Sequence, residues 1–192
     1  RRKSNDKRAR RKLCPHRHDP VVSAHHLTTC PYGGWTIVRH NRLARLLQML
    51  VLEIPGADVR WTPRPGHWKR GSEPAEPDLR IDVPGWPTLY IDVAVVSPRD
   101  GTPGNAARAA ERGKLLAYPV WSNGARVVGC DFSPFVVETY GRLGDYARRL
   151  ICRLATRAAR DRHISVSSEI ERWQQLLALR LIKDEADMLL NA

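Results

Sequence analysis

The chain has 192 residues, enough for one full domain and a small appendage. Hydrophobic residues make up 42%, which supports one core, and the net charge is +12 with a pI near 10.2. That excess of positive charge favours a polyanionic partner, nucleic acid first. No apolar run is long enough to cross a bilayer and no secretory signal is visible, so no membrane partner is expected.

Residues 1–13 read as a basic, disordered arm. Its first twelve residues carry +7, and Arg1, Arg2, Lys3, Arg8, Arg10, Arg11 and Lys12 are its candidate phosphate contacts. Arg1 in place of a methionine suggests a piece of a longer protein. Residues 14–36 read as a separate small segment, of which 14–30 is rich in Cys and His and too polar to make a core alone. Residues 39–53 carry Leu43, Leu46, Leu47, Leu50 and Val51 at helical spacing, and Pro55-Gly56 stops that helix. Ala57 to Thr62 predicts a strand, and residues 63–77, rich in proline and glycine, a loop. Pro77 to Val83 predicts a short strand and Pro84 to Pro87 a turn. Thr88 to Val96 predicts a central strand, apolar on both faces except at Asp92. Ala106 to Tyr118 predicts a helix, weakened by Gly113. Ala125 to Cys130 and Phe135 to Glu138 predict two further β segments. Asp145 to Arg160 predicts an amphipathic helix. Ser168-Glu169-Ile170-Glu171 reads as the capping box of a last one, with Ile170, Trp173, Leu177 and Leu181 on one face. The order predicts an α/β fold, a mixed sheet flanked by helices, with a core over 37–160 and a C-terminal helix over 161–192.

Two clusters carry chemistry. Asp78 and Asp92 sit on strands joined by a short turn, so their carboxylates can converge on a hard divalent cation, Mg²⁺ or Mn²⁺. A carboxylate inside an apolar strand is costly unless it is paired or metal-bound, which makes Asp92 the sharper of the two. Asp82 is the rival acid, with the same strand parity as Asp78 but nearer the turn. Lys114 could stabilise charge developing on a phosphate, and Tyr118 shares its helix face. Arg108 and Arg112 are alternatives on the same helix. These parts suit hydrolysis of a phosphodiester. In the second cluster, Cys14, His16, His26 and Cys30 form the best zinc set, with His18 and His25 as alternates. The four cysteines, Cys14, Cys30, Cys130 and Cys152, are expected to be reduced. Glu138 ends a strand and reads as a surface acid. Trp61 and Trp68 are candidates for stacking on splayed bases.

Together these stretches resemble one family. His25-His26-Leu27-Thr28-Thr29-Cys30-Pro31-Tyr32-Gly33-Gly34 with Arg39-His40-Asn41 looks like the zinc knuckle and RHN motif of the restriction-like endonuclease domain of site-specific non-LTR retrotransposons. Pro77-Asp78-Leu79 and Tyr90 to Pro98 resemble its catalytic strands, Lys114 with Tyr118 its helix motif, and Phe132 to Gly141 the strand that follows. The likeness runs from about Cys14 to Ile151. It implies a PD-(D/E)XK core behind a zinc knuckle, a magnesium-type cofactor and structural zinc. It also implies a covalently linked reverse transcriptase, a nuclear location, and nicking of target DNA to prime reverse transcription. By position Asp78, Asp92, Lys114 and Tyr118 would be catalytic, with Arg39, His40 and Asn41 in support. The lysine is absent from the usual place two residues after the second acid, where Ala94 sits; the family shows the same migration to a helix. Thr62-Pro63 stands where relatives often carry Glu-Pro, and Cys14-Pro15-His16 where they carry Cys-x-Cys. The alternative reading is an inactive, zinc-containing DNA-binding module that positions a partner enzyme.

Overall fold

The computed structural model describes residues 26, 30, 34–61, 77–98, 102–118 and 130–190. Among them the chain is mixed α/β: four helices and a four-stranded mixed sheet. The basic arm, Cys14, His16, His18, His25, Thr62 and Trp68 lie outside the described residues, while His26 and Cys30 lie within them. No helix among the described residues is long and apolar enough to cross a membrane.

Helix α1 spans Trp35–Val51. It starts four residues earlier than expected, just after Gly34, whose φ of +77° suits the left-handed region that glycine tolerates. Leu43, Leu47, Leu50 and Val51 form its buried stripe. Strands β1 (Asp58–Trp61), β2 (Leu79–Asp82) and β3 (Thr88–Val96) follow, each antiparallel to the one before. The β2–β3 register pairs Leu79 with Ile91 and Ile81 with Leu89. Helix α2 (Asn105–Ala117) then crosses over to strand β4 (Cys130–Glu138), which runs parallel to β3. The sheet order is β1-β2-β3-β4, so β3 is central, as its apolar sequence predicts. Strand β4 includes Phe132-Ser133-Pro134 and starts five residues before Phe135. Pro134 is tolerated because β4 is an edge strand among the described residues.

The two faces of the sheet differ. Leu79, Ile81, Leu89, Ile91 and Val93 alternate as buried residues on one face. They pack into one core with Leu43 and Leu47 of α1, with Ile151 and Leu154 of α3 (Asp145–Asp161), and with Trp173, Leu177 and Leu181 of α4 (Val166–Leu190). Each such side chain contributes about 1.5–3 kcal/mol on burial. The other face, with Arg80, Tyr90, Asp92 and Ala94, is only half-buried. This departs from the expectation of a strand apolar on both sides, because α2 covers that face incompletely.

Two local expectations fail for identifiable reasons. Helix α4 is capped by Ser165, whose hydroxyl accepts the Ser168 N–H at 3.4 Å and whose carbonyl accepts the Glu169 N–H at 3.0 Å. The anticipated box at Ser168 therefore lies inside the helix, and Glu169 turns inward. Trp61 lies half-buried against the core with its indole N–H on Gln48 Oε1 at 3.0 Å, which removes it as a base-stacking candidate.

Candidate active site

Strand β2 stops at Leu79, leaving the Val93 N–H without a ladder partner. Asp78 supplies one: its Oδ2 accepts that N–H at 2.7 Å, while its own N–H donates to the Ile91 carbonyl at 2.7 Å. Asp78 stands one residue before β2, and its carboxyl group hydrogen-bonds that of Asp92 on β3.

Each acid has a basic neighbour. Asp78 Oδ2 also takes the Nε2–H of His40, on α1, at 3.0 Å. His40 Nδ1 lies 3.1 Å from Asn41 Oδ1, so both ring nitrogens face acceptors. Asp92 Oδ1 pairs with Lys114 Nζ at 2.7 Å, from the last turn of α2. Tyr118, just past that helix, is buried, hydrogen-bonds Asp92 and packs its ring 4.6 Å from that of Phe132.

The electrostatics separate the two carboxylates. Burial pushes Asp78 upward, but the hydrogen bond and charge of His40, the Val93 N–H and a hydrogen bond from Asp92 pull it below the ordinary carboxylate range. Burial pushes Asp92 upward, against the pull of Lys114. The charge on Asp78 adds to the rise and Tyr118 opposes it, and Asp92 ends above that range. The hydrogen bond to Asp78 raises His40 against the opposing effect of burial. Two carboxyl groups close enough to share a proton, one of them held up by burial and then by the charge of the other, form a donor set that a hard divalent cation would fit. Among the described residues no third His, Cys, Asp or Glu completes a metal group. Further oxygen ligands would therefore come from backbone carbonyls, water or substrate.

The remaining expected residues divide. Arg39 is 3% exposed and ion-pairs with Glu185 of α4, its Nε lacking a hydrogen-bond partner. Its charge is thus taken up by α4, and of the Arg39-His40-Asn41 triplet His40 is the residue that contacts the Asp78–Asp92 pair. Asp82 lies opposite Thr88 at the hairpin end, about 13 Å along the strand from Asp78. It accepts Thr88 Oγ1–H at 2.6 Å and Arg80 Nε–H at 2.9 Å, so it is not a third member. Arg108 is spent on Asn105 at 2.6 Å and Arg112 is exposed, leaving Lys114 as the cation of α2 that meets an acid.

Glu138 corrects the surface reading. It is 2% exposed, and its Oε1 accepts the N–H groups of Gly104 and Ala107 at 2.8 and 3.3 Å, tying the first turn of α2 to the end of β4. Glu111 of α2 likewise takes the Tyr146 N–H of α3 at 2.8 Å. An acid placed a few dozen residues from a helix start in sequence carries no local signal of such a cap. Beside the acid pair, Thr36, Ile37, His40, Val93, Val95 and Ser97 line a groove of about 390 Å³ between the start of α1 and the outer half of β3.

The chain matches no protein-family model and no curated protein sequence.

Proposed function

We propose that this chain is a metal-dependent DNA endonuclease domain with a PD-(D/E)XK, restriction-endonuclease-like core. The observation that carries the proposal is the hydrogen-bonded pair of Asp78, just before β2, and Asp92 of β3, with Lys114 2.7 Å from Asp92. Asp78 and Asp92 would hold Mg²⁺ or Mn²⁺, which when bound activates water and neutralises charge on the phosphate. His40 and the Val93 N–H fix one oxygen of Asp78, leaving the other to face Asp92. Lys114 supplies an ammonium beside the carboxylates, where it can offset negative charge developing on the scissile phosphate. Tyr118 steadies Asp92 from the buried side.

The wider reading follows the retrotransposon resemblance. Cys14, His16, His26 and Cys30 would hold structural Zn²⁺, the N-terminal arm would contact DNA, and a covalently linked reverse transcriptase would extend the nicked end in the nucleus. The test is Asp92→Ala in a supercoiled-plasmid nicking assay with Mg²⁺ or Mn²⁺. Nicking should fall about a thousandfold while DNA binding is retained. An Asp92→Ala protein that nicks as fast as the parent ends the enzyme reading.

One observation favours the inactive DNA-binding module: both acids already have basic partners in His40 and Lys114. Calorimetric titration with Mn²⁺ separates the two. The nuclease takes up metal in an Asp92-dependent way, and the module does not.

A further inference from the structure

Helix α3 carries a charge pattern that neither the core nor the acid pair uses. Its 17 residues include Arg148, Arg149, Arg153, Arg157 and Arg160, against Asp145 and Asp161. Two of the arginines are spent locally: Arg148 on Asp145 at 3.3 Å and Arg157 on Asp161 at 2.7 Å. Arg149, Arg153 and Arg160 are exposed and have no carboxylate partner among the described residues. They fall at i, i+4 and i+11, so they stand on one stripe of the helix, about 16 Å from first to last. Two are held out on aromatic rings. The Arg149 guanidinium lies 4.4 Å from the centre of the Tyr146 ring, and that of Arg153 lies 4.0 Å from the centre of the Trp86 ring on the β2–β3 turn. Stacking orders the long side chains in advance and leaves the edges of the guanidinium forks for acceptors.

We infer that this stripe is a second nucleic-acid contact, built to grip the phosphate backbone of duplex DNA independently of the N-terminal arm. Three parallel cations without acids are complementary to a polyanion whose charges recur along one axis. All three are arginines, whose planar fork pairs phosphate oxygens bidentately, whereas a merely solubilising face carries no such requirement. Backbone contacts of this kind position the duplex without reading its sequence. The choice of DNA over other polyanions rests on the nuclease reading; the stripe itself does not.

The test is binding of the full chain to a short fluorescent duplex by anisotropy across a salt series. EDTA is present throughout, so no cleavage occurs and the outcome is independent of the acid pair. The triple variant Arg149→Gln, Arg153→Gln, Arg160→Gln should flatten the slope of log affinity against log salt by about 3. Near 0.1 M salt it should bind roughly a hundredfold more weakly. The matching triple lysine variant, which keeps the charge and loses the fork, should retain most of the slope. An unchanged slope in a glutamine variant whose thermal melt matches the parent overturns the proposal. So does a lysine variant as weak as the glutamine one, which would assign the loss to packing on Tyr146 and Trp86. Displacement of the duplex by a single-stranded RNA of equal length, at lower concentration than by unlabelled duplex, overturns the assignment to DNA.

Discussion

Two sets of acids among the described residues contrast, and the contrast separates architecture from chemistry. Glu111, Glu138 and Glu169 are 2–3% exposed, and each is given over to donors: helix N–H groups for the first two, Arg162, Arg172 and the Trp173 indole for the third. Asp78 and Asp92 are less deeply buried, with 23% and 15% of their side chains exposed, and they face each other. The first group satisfies the rule that a buried charge must be fully hydrogen-bonded. The second has partners too, in His40, the Val93 N–H, Lys114 and Tyr118, but sets two carboxyl groups against each other at a place solvent can reach. Carboxyl groups so placed keep oxygens within reach of a cation from solvent, which the fully capped acids do not.

The largest expected effect tests that contrast from the side of the aspartates. The thousandfold loss of nicking expected of Asp92→Ala should come with unfolding stability within about 1 kcal/mol of the parent. Removing one acid relieves its repulsion with Asp78 as it forfeits Lys114. Glu138→Ala should behave in the opposite way. It exposes no chemistry but orphans the N–H groups of Gly104 and Ala107, and should cost about 2–3 kcal/mol in urea unfolding. Next comes Glu169→Gln, expected to cost about 1–2 kcal/mol at neutral pH. The hydrogen bond from Arg172, opposed by burial and helped by Trp173, holds Glu169 below its ordinary value of 4.5. An acid lowered in the folded state contributes stability that is present above its unfolded value and lost as pH falls through its folded one. The deficit of Glu169→Gln should therefore shrink as unfolding is measured at pH values progressively below 4.5. The smallest effect belongs to Asp82→Asn, which should leave nicking within about twofold and stability within about 0.5 kcal/mol. A large nicking loss there would move the catalytic acid to the hairpin end and dissolve the contrast.

Much of this arrangement was legible along the chain. Thr88–Val96 is a strand with the bounds its composition predicts, and α2 matches its expected span to within a residue at each end. The convergence of Asp78 and Asp92 follows from period-two alternation and a short turn, both local properties. What could not be read off depends on tertiary approach. Arg39 looks like a partner for the acids because it adjoins His40, yet adjacent helix residues point about 100° apart, and Glu185 lies 146 positions away in sequence. Glu138 looks exposed because it ends a strand, until the first turn of α2 folds over it. Ser168 resembles a cap because its own neighbours fit the motif, but Ser165 three residues earlier also qualifies, and packing of Trp173 and Leu177 chose the longer helix.

The clamp of Glu138 on Gly104 has a consequence for the lysine at the other end of the same helix. Helix α2 is pinned to β4 at its first turn and meets Asp92 only with its last. The whereabouts of the Lys114 ammonium is thus set by angular phase counted from a distant anchor. Losing a single residue between Asn105 and Lys114 would swing that side chain by about 100° and withdraw it by 1.5 Å. The ion pair would be lost with every residue of the site intact, so the spacing within α2 is as much a part of the site as the residues that line it.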